Sequence, residues 1–177
     1  TNMDRVVLYK FNEDYSGKVI AEAKAEDMES YKDLYFPASD IPKQARELYK
    51  TNWVRLTPDT ELPPARLVPS VEESGRKRLD LTRSLLRTFS PIHLQYIRNQ
   101  GLRASFSISL VTDGKLYGLI SCHHREACYI PQDVRLQCEN LSQLFSWHLL
   151  AKEEEIAKQK KFVTDEAVDA MLDKIGP

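Results

Sequence analysis

Apolar and polar residues alternate along several short segments of the chain, which is the pattern of strands that bury one face. A turn at 14–17 separates the first two segments, so they are expected to form a hairpin. Two more segments flank Thr112-Asp113-Gly114 and predict a second strand pair. Strands are therefore expected at 4–11, 17–25, within 52–58, at 103–111 and at 115–124.

Segments whose apolar residues have helical spacing alternate with these strands along the chain. Ser90 is expected to cap one helix, with Pro91 as its first residue and Gly101 just after its end. The last helix is expected to bury a stripe formed by Val134, Cys138, Leu141, Phe145 and His148. Helices are expected at 42–51, 79–87, 91–100 and 131–161, and a long ordered loop covers 57–82. Strands, helices, strands and a long helix in this order predict an α+β domain.

Composition narrows the class of protein without naming a function. The chain has 177 residues, 42% of them hydrophobic, and a net charge of −1, so neither a nucleic-acid nor a membrane partner is indicated. The N-terminal segment lacks the features of a signal peptide, and three cysteines are an odd count that favours a reducing compartment. We therefore expect a cytoplasmic protein, and the abrupt first strand and charged last helix suggest a piece of a longer one.

The strand at 103–111 has one small, polar face. Alternation places Ser105, Ser107 and Ser109 on the side opposite Phe106, and such a face is either solvated or turned toward a ligand. His123 joins this face only if the turn pairs odd residues with odd residues. A two-residue loop would pair His123 with Phe106. We expect instead a three-residue loop with a bulge, which brings His123 to Ser105 and Ser107.

Other polar residues suggest what such a face would bind. His93 and Tyr96 share one side of their helix, although either alone is more often a core residue. Arg55 and Arg87 offer forks that bind carboxylates. Together these groups indicate a large conjugated ligand with carboxylate arms. Asp40, just before Pro42, is either a helix cap or part of a turn that faces the ligand.

Five segments together resemble one family: DRVVLYKF, FPASDIPKQARELY, LLRTFSPIHLQYIRN, RASFSISLV and GLISCHH. They are similar to the chromophore-binding GAF domain of phytochromes, the bacteriophytochrome branch in particular, over about residues 4–150. The resemblance implies a GAF fold, with a central antiparallel sheet of about five to six strands, flanking helices and a long C-terminal helix. It also implies a GAF domain at 1–150 and, at 151–177, a helical linker toward a PHY domain.

The resemblance assigns a role to individual residues. In phytochromes the backbone carbonyl at the position of Asp40 faces the pyrrole N–H groups of a linear tetrapyrrole, and its carboxylate faces the PHY domain. The position of His93 shares a water with the pyrroles, and that of His123 binds the carbonyl of the ring that rotates. Aromatic residues form a wall around this ring, and a polar set binds the propionates. The expected bilin-binding residues are Tyr9, Phe36, Asp40, Ile41, Tyr49, Arg55, Arg87, Ser90, His93, Tyr96, Ser105, Ser107 and His123.

Departures from the family pattern concern the attachment of the pigment. Plant and cyanobacterial phytochromes attach it to a cysteine at the position of Ile92, which carries no thiol. Bacteriophytochromes use a cysteine before their PAS domain, so we expect biliverdin IXα, held non-covalently here, with the attachment cysteine upstream of residue 1. Cys122 is expected on the core side, Cys138 in the core stripe of the long helix, and Cys128 is not assigned.

The implied function is red and far-red light sensing, relayed to an output module that is often part of a two-component system. This part of the chain would turn over no substrate. Expected partners are the tetrapyrrole, the PAS and PHY domains, and a second copy bound through the long helices. Two alternatives stay open: a GAF domain without chromophore that only dimerises and relays signals, and a GAF thiol reductase that uses its cysteines.

Overall fold

The computed structural model describes residues 3–69, 75, 79–84 and 87–175. A six-stranded sheet with the order β3-β2-β1-β6-β5-β4 forms its centre, and every pair of neighbouring strands is antiparallel. Helices lie on both sides of the sheet, so the α+β class is confirmed. The elements are β1 (Arg5–Phe11), β2 (Gly17–Lys24), β3 (Tyr35–Phe36), a 3₁₀ turn (Ala38–Asp40), α1 (Lys43–Thr51), β4 (Val54–Thr57), α2 (Pro91–Asn99), β5 (Ala104–Thr112), β6 (Lys115–His124) and α3 (Gln132–Ile175).

The turn between β5 and β6 differs from the expected one, yet the expected register results. Thr112 pairs with Lys115, so the loop has two residues, and both Asp113 and Gly114 have positive φ. The ladder then shifts, because Leu110 pairs with Gly118 while Val111 pairs with Leu116, which leaves Tyr117 as a bulge. The three-residue loop was therefore wrong, and a bulge restores the pairing of odd with odd residues.

Two clusters form the apolar core, one on each side of the sheet. On one side Phe106, Ile108 and Cys122 are buried and pack against residues of α3, including Val134 and Cys138. The expected position of Cys122 on the core side is confirmed. On the other side Tyr9 and Leu119 belong to the second cluster. We call this second side, which also carries Ser105, Ser107 and Ser109, the serine face.

The first half of α3 buries a different stripe from the one expected. Val134 and Cys138 do pack against the core, but Leu141 is 64% exposed, and Phe145 and His148 are also exposed. Ser142 and Ser146 are buried instead. The Ser146 hydroxyl accepts a hydrogen bond from the Val111 N–H at 3.0 Å, beside the bulge. Small side chains let the helix lie close to β5, and one of them satisfies the backbone group that the bulge frees.

Other local expectations are confirmed or corrected in turn. The helix bounds at Pro91 and Gly101 hold, since Gly101 has φ +70°, although the Ser90 side chain makes no capping hydrogen bond. The helix expected at 79–87 is wrong for the described residues 79–84 and 87, which contain only a turn. The last helix continues to Ile175, beyond the expected 161. In the part of the chain that the structure describes, no helix is long and apolar enough to span a bilayer.

Candidate functional site

Neighbouring strands align the polar residues of the serine face into two rows. Ser105 of β5 pairs with His123 of β6, which pairs with Arg5 of β1. In the next row Arg55 of β4 pairs with Ser107, and Ser107 pairs with Ser121. Because paired residues point to the same side of a sheet, strands distant in sequence bring a polar patch together. Sequence reasoning anticipated the serines, His123 and Arg55, and missed Arg5 and Ser121.

Arg55 is a buried cation on this face. Its guanidinium donates to the Ser107 hydroxyl at 3.1 Å, the Ser109 hydroxyl at 2.9 Å and the Asn52 carbonyl at 2.5 Å. It also stacks 3.8 Å from the centre of the Tyr49 ring. Burial, opposed by Tyr49 and assisted by the charge of Arg87, lowers the pKa of Arg55 to about 10. The side chain therefore stays charged at neutral pH.

The surroundings of Arg55 leave its charge uncompensated. Its Nη2 atom is buried and has no hydrogen-bond partner among the described residues. Within the same residues, the charges that act on it come from Tyr49 and from a second cation, Arg87. Both arginines line a cavity of about 20 Å³, whose lining residues are Asn52, Val54, Arg55, Ser84, Arg87 and Phe89. Two cations that line one small cavity would attract an anionic group, and a carboxylate would have to displace neighbouring side chains to enter it.

His123 presents a second unpaired polar atom on the same face. Its Nε2 lies 2.9 Å from the Ser121 hydroxyl, whereas its Nδ1 is buried without a partner in the described structure. Burial, followed by the charges of Arg5 and His93, lowers the pKa of His123 to about 4. The ring is therefore neutral at pH 7, with one nitrogen as donor and one as acceptor.

The Arg5 side chain is bound by its own set of partners. Its Nε lies 3.3 Å from a Glu22 carboxylate oxygen, and its Nη2 donates to the Glu29 carbonyl at 2.5 Å. The guanidinium also stacks 3.6 Å from the centre of the Tyr31 ring. Burial alone would raise the pKa of Glu22, but hydrogen bonds from Ser30 and Tyr31 and the charge of Arg5 lower it. The Arg5–Glu22 pair is thus a compensated buried ion pair, unlike the charge on Arg55.

Helix α2 brings a third set of groups to the serine face. Burial, and then the charge of Arg55, lowers the pKa of His93, and His93 in turn acts on His123. The rings of His93 and Phe89 lie 5.7 Å apart. Tyr96, three residues further along the helix, is 45% exposed. The structure therefore groups His93, His123 and Arg55, which sequence reasoning had assigned to one ligand-binding set.

Aromatic residues form a wall beside the polar rows. Tyr9 is buried, and its ring centre lies 5.0 Å from that of Phe11 and 6.0 Å from that of Phe36. Burial, followed by the charges of Asp40 and Tyr96, raises the pKa of Tyr9 to about 12. The ring passes over Gly17, where an added Cβ would lie 2.0 Å from its Cζ atom. Glycine is therefore required under this ring, a contact that the sequence pattern did not reveal.

The Pro37–Pro42 turn is fixed by an arginine that sequence reasoning missed. Arg46 of α1 reaches back and donates to the carbonyls of Ala38, at 3.0 Å, and Ile41, at 2.5 Å. Asp40 ends the 3₁₀ turn, and Pro42 precedes α1, so the interpretation of Asp40 as the cap of that helix is wrong. Its exposed carboxylate raises the pKa of both Tyr9 and Tyr96, so it acts on the aromatic wall.

The expected bilin-binding residues fall into two adjoining groups and a remainder. The first group lies in or beside the polar rows and consists of Arg55, Arg87, Tyr49, Ser107, His93 and His123, with Ser105 in register with His123. The second group lies in or beside the aromatic wall and consists of Tyr9, Phe36, Ile41, Tyr96 and Asp40. Ser90 is exposed, and only its backbone carbonyl has a described hydrogen bond, from Leu94. The role of each residue in binding a ligand stays a prediction.

Two of the three cysteines, Cys122 and Cys138, have the wrong environment for thiol chemistry. Cys122 is 4% exposed, and burial raises its pKa to about 12. Burial also raises the pKa of Cys138. Because the thiolate is the reactive form, these two thiols are poor nucleophiles at neutral pH. In the described ranges no group of three or more histidine, cysteine or acidic residues could hold a metal ion.

Comparison with known proteins agrees with the observed architecture. The sequence model of the GAF domain family matches residues 1–149 of this chain. The chain is 49% identical over 154 residues to cyanobacterial phytochrome B of Nostoc sp. and 48% identical over 146 residues to a bacteriophytochrome of Pseudomonas aeruginosa. These matches cover 87% and 82% of this chain, but only 20% of each relative. The chain thus spans about a fifth of the length of these relatives.

Solved structures extend the similarity to three dimensions. The photosensory core module of a Stigmatella aurantiaca phytochrome matches with a TM-score of 0.83 and 44% identity, over 96% of this chain and 33% of that one. The chromophore-binding domain of a Stigmatella aurantiaca phytochrome matches with a TM-score of 0.76 and 48% identity, over 82% of this chain and 48% of that one. The chain therefore belongs to the GAF domain family, and its relatives are the GAF domains of phytochromes and bacteriophytochromes.

Proposed function

We propose that this chain is a light-sensing GAF domain that binds biliverdin non-covalently. The observation that carries the proposal is the uncompensated charge of Arg55, together with the unpaired Nδ1 of His123, on one buried face. A buried cation and a buried polar nitrogen without partners each cost free energy, so a ligand that satisfies both explains their presence. A bilin can supply both partners, because its carboxylate arms can accept from Arg55 and its ring carbonyl can accept from Nδ1 of His123.

Each group of residues has a task in this proposal. Arg55 and Arg87 bind the propionates, supported by Tyr49, Ser105 and Ser107. His123 donates to a ring carbonyl, and His93 binds a water shared with the pyrrole nitrogens. Asp40 turns its backbone carbonyl toward pyrrole N–H groups, while Arg46 holds the turn through the neighbouring carbonyls.

The aromatic wall has a separate task, since Tyr9, Phe36 and Tyr96 would confine the ring that rotates. The bilin supplies absorption of visible light and a double bond that isomerises. A change at this wall would reach Asp40, whose charge already acts on Tyr9 and Tyr96. We propose that the parent protein relays this change through a PHY domain to a two-component output in the cytoplasm, with residues 151–177 as the link.

Titration of the purified chain with biliverdin tests the proposal. We expect a red-shifted absorption band that saturates at one bilin per chain and changes reversibly under red light. Arg103 offers a matched control, because its guanidinium is already bound to Asp59 at 2.6 Å. Arg103→Met is expected to retain the band. Absence of a band in the wild-type chain, also after an upstream PAS segment is added, would favour a GAF domain without chromophore.

The alternative as a thiol reductase receives little support. Its nucleophile would be an exposed cysteine of low pKa, whereas the pKa values of Cys122 and Cys138 are raised. Turnover of methionine sulfoxide by the wild-type chain and its loss in Cys122→Ser/Cys128→Ser would reverse this conclusion.

We also propose that the chain pairs with a second copy through α3. Apolar side chains remain uncovered along this helix, with Leu141 64%, Leu144 63% and Trp147 74% exposed. Leu144 and Trp147 line a groove of about 380 Å³ with Asn140 and Gln143. Adjacent exposed apolar residues on a helix are typical of interaction sites, and an identical helix can fill such a groove by two-fold symmetry.

Light scattering of the wild type and of Trp147→Lys tests this pairing. We expect a dimer for the wild type and a monomer for the variant at the same concentration. Leu62→Lys, at an exposed apolar position outside α3, serves as a control for added charge. A wild-type chain that stays monomeric at high micromolar concentration would contradict the pairing.

A further inference from the structure

We propose that Ser121 is a positioning residue that sets the tautomer of His123, so that Nδ1 carries a proton and donates it to a carbonyl oxygen of the ligand. The inference rests on the proposed function, because it assigns a role to a residue beside the bilin. It adds a residue that the family resemblance did not assign.

The geometry of β6 makes this pairing specific. Ser121 and His123 are two residues apart on one strand and therefore share its serine face. The Ser121 hydroxyl lies 2.9 Å from Nε2 of His123, which is within hydrogen-bond distance. The Nδ1 atom of the same ring is buried and has no partner in the described part of the chain. One ring nitrogen is therefore held by the protein, and the other is left for a group that the described residues do not supply.

The neighbouring cation does not take over the role of this serine. Arg5 pairs with His123 across the strands, but its guanidinium is bound by Glu22, by the Glu29 carbonyl and by the ring of Tyr31. Burial, and then the positive charge of Arg5, lowers the pKa of His123, so the ring keeps a single proton at neutral pH. The position of that proton then depends on which nitrogen accepts a hydrogen bond.

The hydroxyl of Ser121 decides this position because it can donate as well as accept. If Ser121 donates to Nε2, the proton must reside on Nδ1, and Nδ1 becomes a donor. The serine face already carries surplus donors, including the unpaired Nη2 of Arg55, and therefore suits a ligand that is rich in acceptors. A carbonyl oxygen at Nδ1 is consistent with this character, whereas a ligand N–H would require the opposite tautomer.

Nitrogen NMR of the full chain, labelled on its four histidines and saturated with biliverdin, tests the inference. His123 is assigned by comparison with His123→Gln. In the wild type we expect protonated Nδ1 and unprotonated Nε2. In Ser121→Ala we expect the proton to move to Nε2, the tautomer that free imidazole side chains prefer in water. Biliverdin affinity should fall by about 2- to 10-fold, the effect of one neutral hydrogen bond, with a shifted absorption band.

Two further variants separate the tautomer from a general effect on packing. Ser121→Thr keeps the hydroxyl and is expected to restore protonated Nδ1. Ser107→Ala removes a hydroxyl that binds Arg55, and it should leave the His123 tautomer unchanged. Protonated Nε2 in the bound wild type, or an unchanged tautomer in Ser121→Ala, would overturn the inference.

Failure of the proposed function gives a different result. If the wild-type chain binds no biliverdin, the role of the site as a bilin pocket is lost, together with the donation to a ligand carbonyl. The ligand-free spectra of wild type and Ser121→Ala still test the first step. Identical His123 tautomers in those two spectra would refute the control by Ser121 itself.

Discussion

Replacement of Arg55 with methionine separates a role in folding from a role in ligand binding. Methionine fills a similar elongated volume and removes the charge. We expect the ligand-free variant to be about as stable as the wild type and to bind biliverdin much more weakly. The reason is that the charge of Arg55 is buried without a carboxylate acting on it among the described residues, so the ligand-free fold gains little from it.

The magnitude follows from the surroundings of the guanidinium. A pKa lowered from 12.5 to about 10 corresponds to a cost of about 3 kcal/mol for holding the charge in the fold. The hydrogen bonds to Ser107, Ser109 and Asn52 return on the order of 1 kcal/mol each in net terms. The two contributions nearly cancel. A charge-assisted contact to a propionate is worth about 1.5–3 kcal/mol, so affinity should fall about 10- to 150-fold.

Two measurements on the same samples decide whether Arg55 acts in folding or in ligand binding. Urea unfolding gives the free energy of unfolding without ligand, and titration with biliverdin gives the dissociation constant. Arg103→Met is the matched control, since its charge is compensated by Asp59 and Glu61 and its affinity for biliverdin should not change. The reasoning is refuted if Arg55→Met loses more than about 3 kcal/mol of stability while its affinity stays within about twofold of the wild type.

Three further predictions concern stability alone and are measured by urea unfolding. Gly17→Ala should cost about 1–3 kcal/mol, because the added Cβ would overlap the Tyr9 ring; wild-type stability would contradict this packing. The free energy of unfolding should fall between pH 6.5 and 4, by at most about 3 kcal/mol from His123, because its pKa is lowered to about 4 in the fold and the unfolded chain binds the proton first. His123→Gln should flatten that part of the pH profile, and an unchanged slope would count against the buried neutral ring. Ser146→Ala should cost about 1–3 kcal/mol by leaving the Val111 N–H without its acceptor, whereas Ser146→Thr, which keeps the hydroxyl, should cost less.

Alternation along single strands was enough to predict the sheet, but it did not predict the length of the loop between β5 and β6. Dipeptides such as Asp113-Gly114 favour two-residue loops, and that preference prevailed over the expected three-residue loop. The bulge at Tyr117 then restored the register that aligns His123 with Ser105. A bulge has no strong sequence signal of its own, since it depends on how both strands pack.

The helices show why spacing alone misassigns a buried face. A stripe of apolar residues was expected to pack against the sheet, yet Leu141 is exposed and Ser142 is buried. Close approach of α3 to the sheet requires small residues, and a hydrophobicity pattern cannot recognise that requirement. The same limit applies to Arg46, whose role depends on carbonyls that its side chain reaches in space.

Candidate site residues also divide into those that the sequence pattern reveals and those that only the three-dimensional contacts reveal. Serines at alternate positions, His93 and Arg55 were visible in the sequence, and the resemblance to phytochromes supplied only their expected roles. Ser121 had the correct parity for the serine face, but only the observed distance to His123 gives it a role. The contact between Tyr9 and Gly17 joins two strands, so no single segment could have revealed it.

The unbroken length of α3 has a mechanical consequence. Its 44 residues correspond to a rod of about 66 Å, and the part beyond Ser146 extends for about 44 Å. Ser146 fastens the rod at the edge of the bulge, close to one end of the sheet. With that hydrogen bond as a pivot, a tilt of about 5° would displace the far end by about 4 Å, roughly three quarters of a helical turn. A shift of about 2 Å at the Gln132 end of the helix, about 21 Å from Ser146, would thus be roughly doubled at the far end.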